Sequence, residues 1–444
     1  MIEILRHPTF LRLFSAQVVA LIGTGLATTA LALLAYDLAG AEAGAVLGTA
    51  LAIKMIVYVL LAPLSGAFVP AAKRKIVLIS LDVVRACAAL ALPFVNQVWQ
   101  VYLLIALLQS ASACFTPLFQ SLIPQVLPKE RDYTKALSLS RLAYDLESLL
   151  SPALAAVLLT VISFHGLFLG TMGGFILSAL FVFSAAFPAP VEQSQHEGPL
   201  AKAVHGMRIY LRTPRLQGLL ALNLCAAAGG AMVFVNTVVI VRQVLGGGDQ
   251  EVALALAAFG GGSMLVALLL PKLLDRLTDR TLMLCAGGLM ALGLIIATLL
   301  WIALPQSRGW AVLLPAWIFL GMAYAGLVTP GGRLIRRSAH DADLPAVFAA
   351  QFSLSHVCWL LAYPLAGWLG ARLGLGAAFI ALSCVALVGL SVAMRRWPVS
   401  DPTVVPHIHG DLPSDHPHFE AHPAQDAQHA HAFVIDALHR RWPG

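Results

Sequence analysis

Charge is what this sequence has least of. Only 11% of its 444 residues are Asp, Glu, Lys or Arg, while 59% are hydrophobic and the mean hydropathy is +0.83. Soluble domains carry about a quarter charged residues, so a water-soluble globular protein is excluded and a chain that crosses a bilayer many times is indicated. Cysteine is scarce too. The six cysteines (Cys87, Cys114, Cys225, Cys285, Cys358, Cys384) stand singly in apolar segments with no CxxC pair. That excludes a disulfide framework or a thiolate zinc site and leaves packing as their role. No Walker A sequence is present, so uphill work would draw on an ion gradient. Met1–His7 is short and runs directly into a full span, an arrangement in which no cleavable signal peptide is expected. The pI near 9.1 does not signal nucleic acid, because the basic residues sit in short connectors between apolar runs. No enzymatic activity is expected.

A helix needs about 20 apolar residues to cross a bilayer. Apolar runs broken by Pro, Gly and charge predict spans near 14–36, 45–69, 76–95, 98–121, 136–162 and 164–187, then 216–241, 251–271, 281–304, 309–329, 345–369 and 373–394. The expected architecture is an all-α membrane protein. It has a six-helix bundle at 1–187, a connector at 188–214, a second six-helix bundle at 215–396 and a mostly disordered tail at 397–444. Lys and Arg mark cytoplasmic loops. With the N-terminus inside, those loops hold Lys73, Arg74, Lys75, Lys129, Arg131, Lys135, the 202–215 connector, Lys272, Arg276, Arg280, Arg333, Arg336 and Arg337. The outer loops hold only Arg242, Arg308 and Arg372. Both termini are therefore expected in the cytoplasm, and the protein in a bacterial inner membrane.

The two halves echo each other. Gly66-Ala-Phe-Val-Pro70-Ala-Ala-Lys73-Arg74-Lys75 follows span 2, and Pro271-Lys-Leu-Leu-Asp275-Arg276-Leu-Thr-Asp279-Arg280 follows span 8. Ser121-Leu-Ile-Pro124 with Ser151-Pro152 matches Thr329-Pro330 with Tyr363-Pro364. The loops resemble the G-x-x-x-D-R-x-G-R-R loop of the major facilitator superfamily, and the six-plus-six layout resembles that fold over residues 1–396. The resemblance implies two bundles rocking about a midplane site. It also implies a gating role for Asp275, Arg276 and Arg280. The first loop has Pro70 where the Asp belongs and keeps only the basic cluster Lys73, Arg74 and Lys75.

Ionisable residues inside spans cost roughly 2.5–3.5 kcal/mol each on insertion scales, so each is a candidate for the transport path. Asp82 and Arg85 can meet on one helix face, either as a structural pair or with Asp82 free to work. Arg141 and Asp145 can pair four residues apart, which leaves Glu147 without a local partner. Lys54 would neutralise one of these acids or snorkel. His356 offers a neutral ligand in Ser353-Leu-Ser355-His356-Val-Cys358-Trp359, although a lone histidine on an apolar helix is more often packed than ligating. Asn223 and Asn236 offer carbonyl oxygens or interhelical hydrogen bonds. Asp37 closes span 1 as an end-cap or an exit-side ligand.

From Ser400 the composition changes. Eight of the 14 histidines lie here: His407, His409, His416, His418, His422, His429, His431 and His439, beside Asp411, Asp415, Glu420, Asp426 and Asp436. In an open, polyproline-like chain the His-x-His pairs can turn two imidazoles to one ion, and neutral imidazole suits Ni(II), Cu(II), Zn(II) and Co(II). The absence of Cys and Met from the tail argues against Cu(I). This combination resembles the nickel-resistance exporter branch of the superfamily (the NreB/NrsD type), on Asp411-Leu412-Pro413, Asp415-His416-Pro417-His418, His429-Ala-His431, Val434-Ile435-Asp436, His439 and Trp442-Pro443. The resemblance implies proton-coupled Ni(II) efflux, with Co(II) a further cargo, no permanently bound cofactor and the proton gradient as energy source. The expected partners are the lipid bilayer and the metal ion, with no nucleic acid, and the expected state is a monomer. Two alternatives stand: export of organic compounds such as drugs or siderophores, and a membrane metal sensor without transport.

Overall fold

The computed structural model describes residues 2–68, 73–120, 122–127, 129–187, 199–303, 309–340, 343–401, 404–408, 428–436, 438–439 and 442. The first half contains α1 (Pro8–Ala39), α2 (Ala43–Phe68), α3 (Arg74–Ala91), α4 (Val98–Gln120), the short α5 (Ile123–Val126), α6 (Glu130–Leu158) and α7 (Phe164–Ser184). A connector helix α8 (Pro199–Arg212) leads to α9 (Pro214–Val239), α10 (Asp249–Leu274), α11 (Asp279–Ala303), α12 (Gly309–Val328), the short α13 (Gly331–Arg336), α14 (Leu344–Leu373) and α15 (Leu375–Arg396). Among the described residues, twelve of these helices have 18 residues or more. At 1.5 Å per residue, each of the twelve is about long enough for the apolar core of a bilayer. This is the all-helical twelve-span architecture that the apolar runs predict.

Local chemistry sets the helix ends. Pro8 occupies the first turn of α1, where its missing N–H costs nothing, and the His7 ring accepts from Phe10 N. Gly374, at φ 87°, turns α14 sharply into α15 in a backbone conformation that a side chain would strain. The Gly248 N–H donates to Glu251 Oε2 at 2.8 Å at the start of α10. Outward-facing Leu60, Leu103, Phe183, Leu268 and Leu361 are each at least 60% exposed. In water they would be a liability; here they meet acyl chains.

The halves repeat one packing scheme. In the first, α1 packs on α7 and α6, α2 on α4, and α3 on α4 and α7. In the second, α9 packs on α15 and α14, α10 on α12, and α11 on α12 and α15. The halves meet through α2 on α14 and α6 on α10, two contacts that a two-fold swap of the halves exchanges. Such a pseudo-two-fold is what lets two bundles rock about a shared interface.

The end of the molecule distant from both termini is closed by glycine. Gly44 and Gly48 of α2 cross Gly367 of α14 with backbone against backbone. A Cβ on Gly48 would lie 2.7 Å from Tyr363 O, and one on Gly367 would meet the Gly44 carbonyl well inside contact distance. Trp368 Nε1 donates to Thr49 Oγ1 across the same crossing at 3.1 Å, and Gln250 Nε2 donates to Leu159 O between α10 and α6. Small residues are how helices approach closely in lipid, where there is no hydrophobic drive to join them.

The tail departs from the open chain that its composition predicts. Val404–Ile408 (β1) pairs antiparallel with Gln428–Ala432 (β2), with Val405 opposite His431 and His407 opposite His429. The reason is apolar residues at its ends: Val405, Phe433, Val434 and Ile435 are buried. Asp401 meets Arg215 at 3.3 Å and accepts from Trp397 Nε1, and the Trp442 ring lies 5.0 Å from the Arg215 guanidinium. Asp436 Oδ1 accepts from Leu438 N and His439 N, and its carboxylate pairs with the His439 ring and His340. Burial pushes the Asp436 carboxyl up, but the hydrogen bonds from His439 and Leu438 outweigh it and hold it well below the usual carboxylate range. A depressed carboxyl stabilises docking above its free pKa and loses that contribution as pH falls through the docked value. Asp436→Asn is therefore expected to loosen the docked end at neutral pH, read as faster hydrogen exchange at residues 433–439.

Candidate functional site

The acids predicted inside the membrane take different places. Asp82 on α3 is fully buried within the first half, where one oxygen meets Arg85 and the other accepts from Ser178 of α7 at 2.8 Å. The Arg85 guanidinium lies between the Phe115 and Phe175 rings, 4.1 and 4.5 Å from their centroids. Both carboxylate oxygens of Asp82 are thus engaged in tying α3 to α7. Asp82→Asn leaves the Arg85 charge buried and unbalanced and is expected to cost ~3–5 kcal/mol, measured as thermal unfolding in detergent.

Glu147 sits halfway along α6, with Oε1 turned toward Gly25 of α1. A Cβ on Gly25 would fall on the Ser151 side chain and 2.9 Å from that oxygen, so α1 has room for the carboxylate only because the residue is glycine. Glu147 interacts electrostatically with Lys54, at the middle of α2, and Lys54 in turn with His356, at the middle of α14. Lys54 Nζ lies 5.9 Å from the centroid of the Tyr58 ring, which stacks on the His356 imidazole at 5.2 Å and 5°. Phe352 tilts against both. Ammonium, phenol and imidazole therefore gather at mid-height from α2 of one half and α14 of the other, with the Glu147 carboxylate midway along α6.

His356 Nδ1 is 2.6 Å from the Phe352 carbonyl. A carbonyl only accepts, so Nδ1 carries a proton, and in the neutral ring Nε2 keeps its lone pair. Cys358, two residues on, points elsewhere, toward Leu220 O. Next to this cluster the second half presents an aromatic wall of Phe234, Phe259, Tyr324, Trp359 and Tyr363. Gly230 leaves the space into which Trp359 leans. Among the described residues, no group of three or more His, Cys, Asp or Glu is arranged to hold a metal ion.

The two asparagines lie at different heights on α9. Asn223 is buried, with no partner for Nδ2 among the described residues. Asn236 stands at the glycine crossing; its Nδ2 donates to Ala366 O at 3.2 Å, and the positions where Gly44 and Gly370 would carry a Cβ are 3.1 and 2.8 Å from Oδ1. Asp37 is exposed at the end of α1. The side chains of Arg141 and Asp145 lie outside the described residues, as do Pro70, His409, His416, His418 and His422. His407 and His429 are placed by their strands alone.

In the second basic loop, Asp275 and Arg276 are exposed, while Arg280 Nε donates to Trp397 O at 3.0 Å. The charge centre is Asp279, 2% exposed, which meets Arg337 at 2.8 Å and Arg333 at 3.3 Å. Asp279 is the second acid of the loop, four residues after Asp275, and its part shows only once Arg333 and Arg337 are folded back onto it. In the first loop Lys75 Nζ donates to Ala185 O and lies over Phe183 and Phe187, Lys73 precedes α3, and Arg74 Nε is buried without a partner among the described residues. Asp279→Asn should release α13 from α11. Faster proteolysis near residue 337 is the expected readout.

The Major Facilitator Superfamily model matches residues 13–246 and 219–418. The uncharacterized MFS-type transporter YfiS of Bacillus subtilis is 23% identical over 351 residues, covering 76% of this chain and 83% of that one. Macrolide efflux protein A of Streptococcus pyogenes is 23% identical over 400 residues, covering 85% and 94%. Among solved structures, the nucleoside transporter NupG superposes with a TM-score of 0.66 at 14% identity, over 88% of this chain and 100% of that one.

Proposed function

The chain belongs to the major facilitator superfamily of membrane transporters, and from that premise we propose that it exports divalent transition-metal ions, Ni(II) first and Co(II) second, by proton-coupled alternating access. The observation that carries the cargo is the histidine tail. It is anchored on Arg215, Trp397 and His340, and its strands set His407 opposite His429 on the face that also carries His431. The strand register thus pairs two histidine positions 22 residues apart in the chain. The Lys and Arg distribution supports a cytoplasmic position for this end, at a bacterial inner membrane, where the tail would gather metal before it enters the site between the halves. Glu147 and His356 supply a carboxylate and a free imidazole nitrogen on opposite sides of that site. Proton movement through Glu147 would couple flux to the gradient.

Proteoliposomes with an imposed pH gradient test the reading. Nickel flux that follows the gradient supports it; metal binding with no flux would leave a sensor. Deleting residues 400–444 is expected to raise the free nickel needed for half-maximal flux several-fold, roughly the loss of one chelating pair, while the maximal rate stays. A second reading, export of organic compounds, is favoured by the aromatic wall around Trp359 and by the macrolide efflux relative. It predicts resistance to organic toxicants and unchanged nickel tolerance on gene deletion.

A further inference from the structure

The last two histidines of the tail are shut inside its docked end. His439 is 4% exposed, and its Nδ1 lies 2.9 Å from Asp436 Oδ1. Its ring meets the His431 ring at 5.0 Å and the Phe433 ring at 4.7 Å, both at 67°. His431 Nε2 is itself buried. From this knot the contacts run on into the membrane body. Phe433 packs edge-on against Trp442 at 5.1 Å, and Trp442 lies over the Arg215 guanidinium at the start of α9. Asp436 also reaches His340, just ahead of α14, at 3.5 Å.

A metal ion that binds an imidazole nitrogen brings water or other ligands with it, so it needs open room at that nitrogen. His431 Nε2 and the His439 ring lack that room while the end is docked, walled in by Asp436 and by the apolar Phe433, Val434 and Ile435. Yet His431 is half of the His429/His431 pair, and His439 is the last of the eight tail histidines. The same two rings therefore serve two uses that exclude each other.

We propose that the docked tail end is a metal-released latch: it withholds His431 and His439 while seated on Arg215 and His340, and a divalent ion that recruits those rings lifts it off. This inference rests on the metal reading of the tail and supplies its regulation. An ion that binds only the undocked tail has its affinity lowered by the fraction of tail that is docked, and by reciprocity the ion unseats the tail. Because the anchors stand at the start of α9 and just before α14, release frees two helix ends of the second half when cargo is at hand.

The test uses the full-length protein in detergent, with Ni(II) as the probe. Hydrogen exchange at residues 433–439 should speed up as Ni(II) saturates. Trp442→Ala removes the ring that joins Phe433 to Arg215 and removes no metal ligand. In calorimetric titration it should tighten Ni(II) binding by about fivefold or more, the lower end of ordinary coupling between two sites. Asp436→Asn should act in the same direction, although a carboxylate is lost. Exchange that slows or stays unchanged with Ni(II), or binding that weakens in Trp442→Ala, overturns the latch and leaves the tail as a plain metal collector. Full-length protein that binds no Ni(II), or binds it equally after deletion of residues 400–444, overturns both readings. If Trp442→Ala fails to fold, exchange in the unaltered protein still decides.

Discussion

Glu147→Gln is expected to abolish uphill transport, lowering the initial flux by ~100-fold or more, equivalent to about 2.7 kcal/mol in the rate-limiting barrier. The substitution keeps size and shape and removes only the charge. Glu147 lies midway along α6 with Oε1 turned toward Gly25 of α1, so a neutral amide there strips the site of its negative pole. The isolated Lys54 charge should also lower thermal stability. Glu147→Gln combined with Lys54→Met separates the two effects, because a double-mutant cycle reports what the residues do jointly. Stability should return in the double variant and transport should not. Full recovery of flux would show that Glu147 only balances Lys54.

Gly367→Leu is expected to have an effect as large by a different route. The α2–α14 crossing brings Gly44, Gly48 and Gly367 into backbone contact, and any Cβ at Gly367 would overlap the Gly44 carbonyl. Neither backbone is a flexible neighbour that can give way, so the helices must separate and the far end cannot seal. A transporter that cannot close one end cannot alternate. Gradient-driven flux should fall to background, and a cysteine placed at Thr49 should become reactive to an impermeant maleimide from the far side. Gly376→Leu is the control, because nothing lies within 4 Å of its Cβ position and its backbone is helical. If Gly367→Leu transports normally, this crossing is not the gate.

Asp82 and Glu147 show where sequence reasoning stops. Both are lone acids in apolar helices, and their cost in lipid marks both as candidates. What separates them is helix rotation. α3 turns Asp82 onto Arg85 and Ser178 inside one bundle, whereas α6 turns Glu147 toward α1 and the Lys54 of α2. Rotation follows from packing, and packing here is decided by which positions are small. Gly25 admits Glu147, and Gly230 admits Trp359. The Tyr58–His356 stack joins residues nearly 300 positions apart, and no local pattern announces it. Asp279 looked like a loop acid until α13 folded Arg333 and Arg337 back onto it.

The sequence by itself determined that this chain spans a membrane twelve times in two similar halves, because burying a backbone in lipid leaves only helices and each must be about 20 apolar residues long. It also determined that eight of the 14 histidines lie in a tail outside the spans, which carries the metal reading. Only the tertiary structure decided that the tail docks through Asp401, Asp436 and Trp442, that glycine seals the far end, and that Lys54 and the Tyr58–His356 stack meet at mid-height. The physical reason is range. Hydropathy and spacing act within one helix, while the site is made by side chains from α2, α6 and α14, whose meeting depends on close approach between helices.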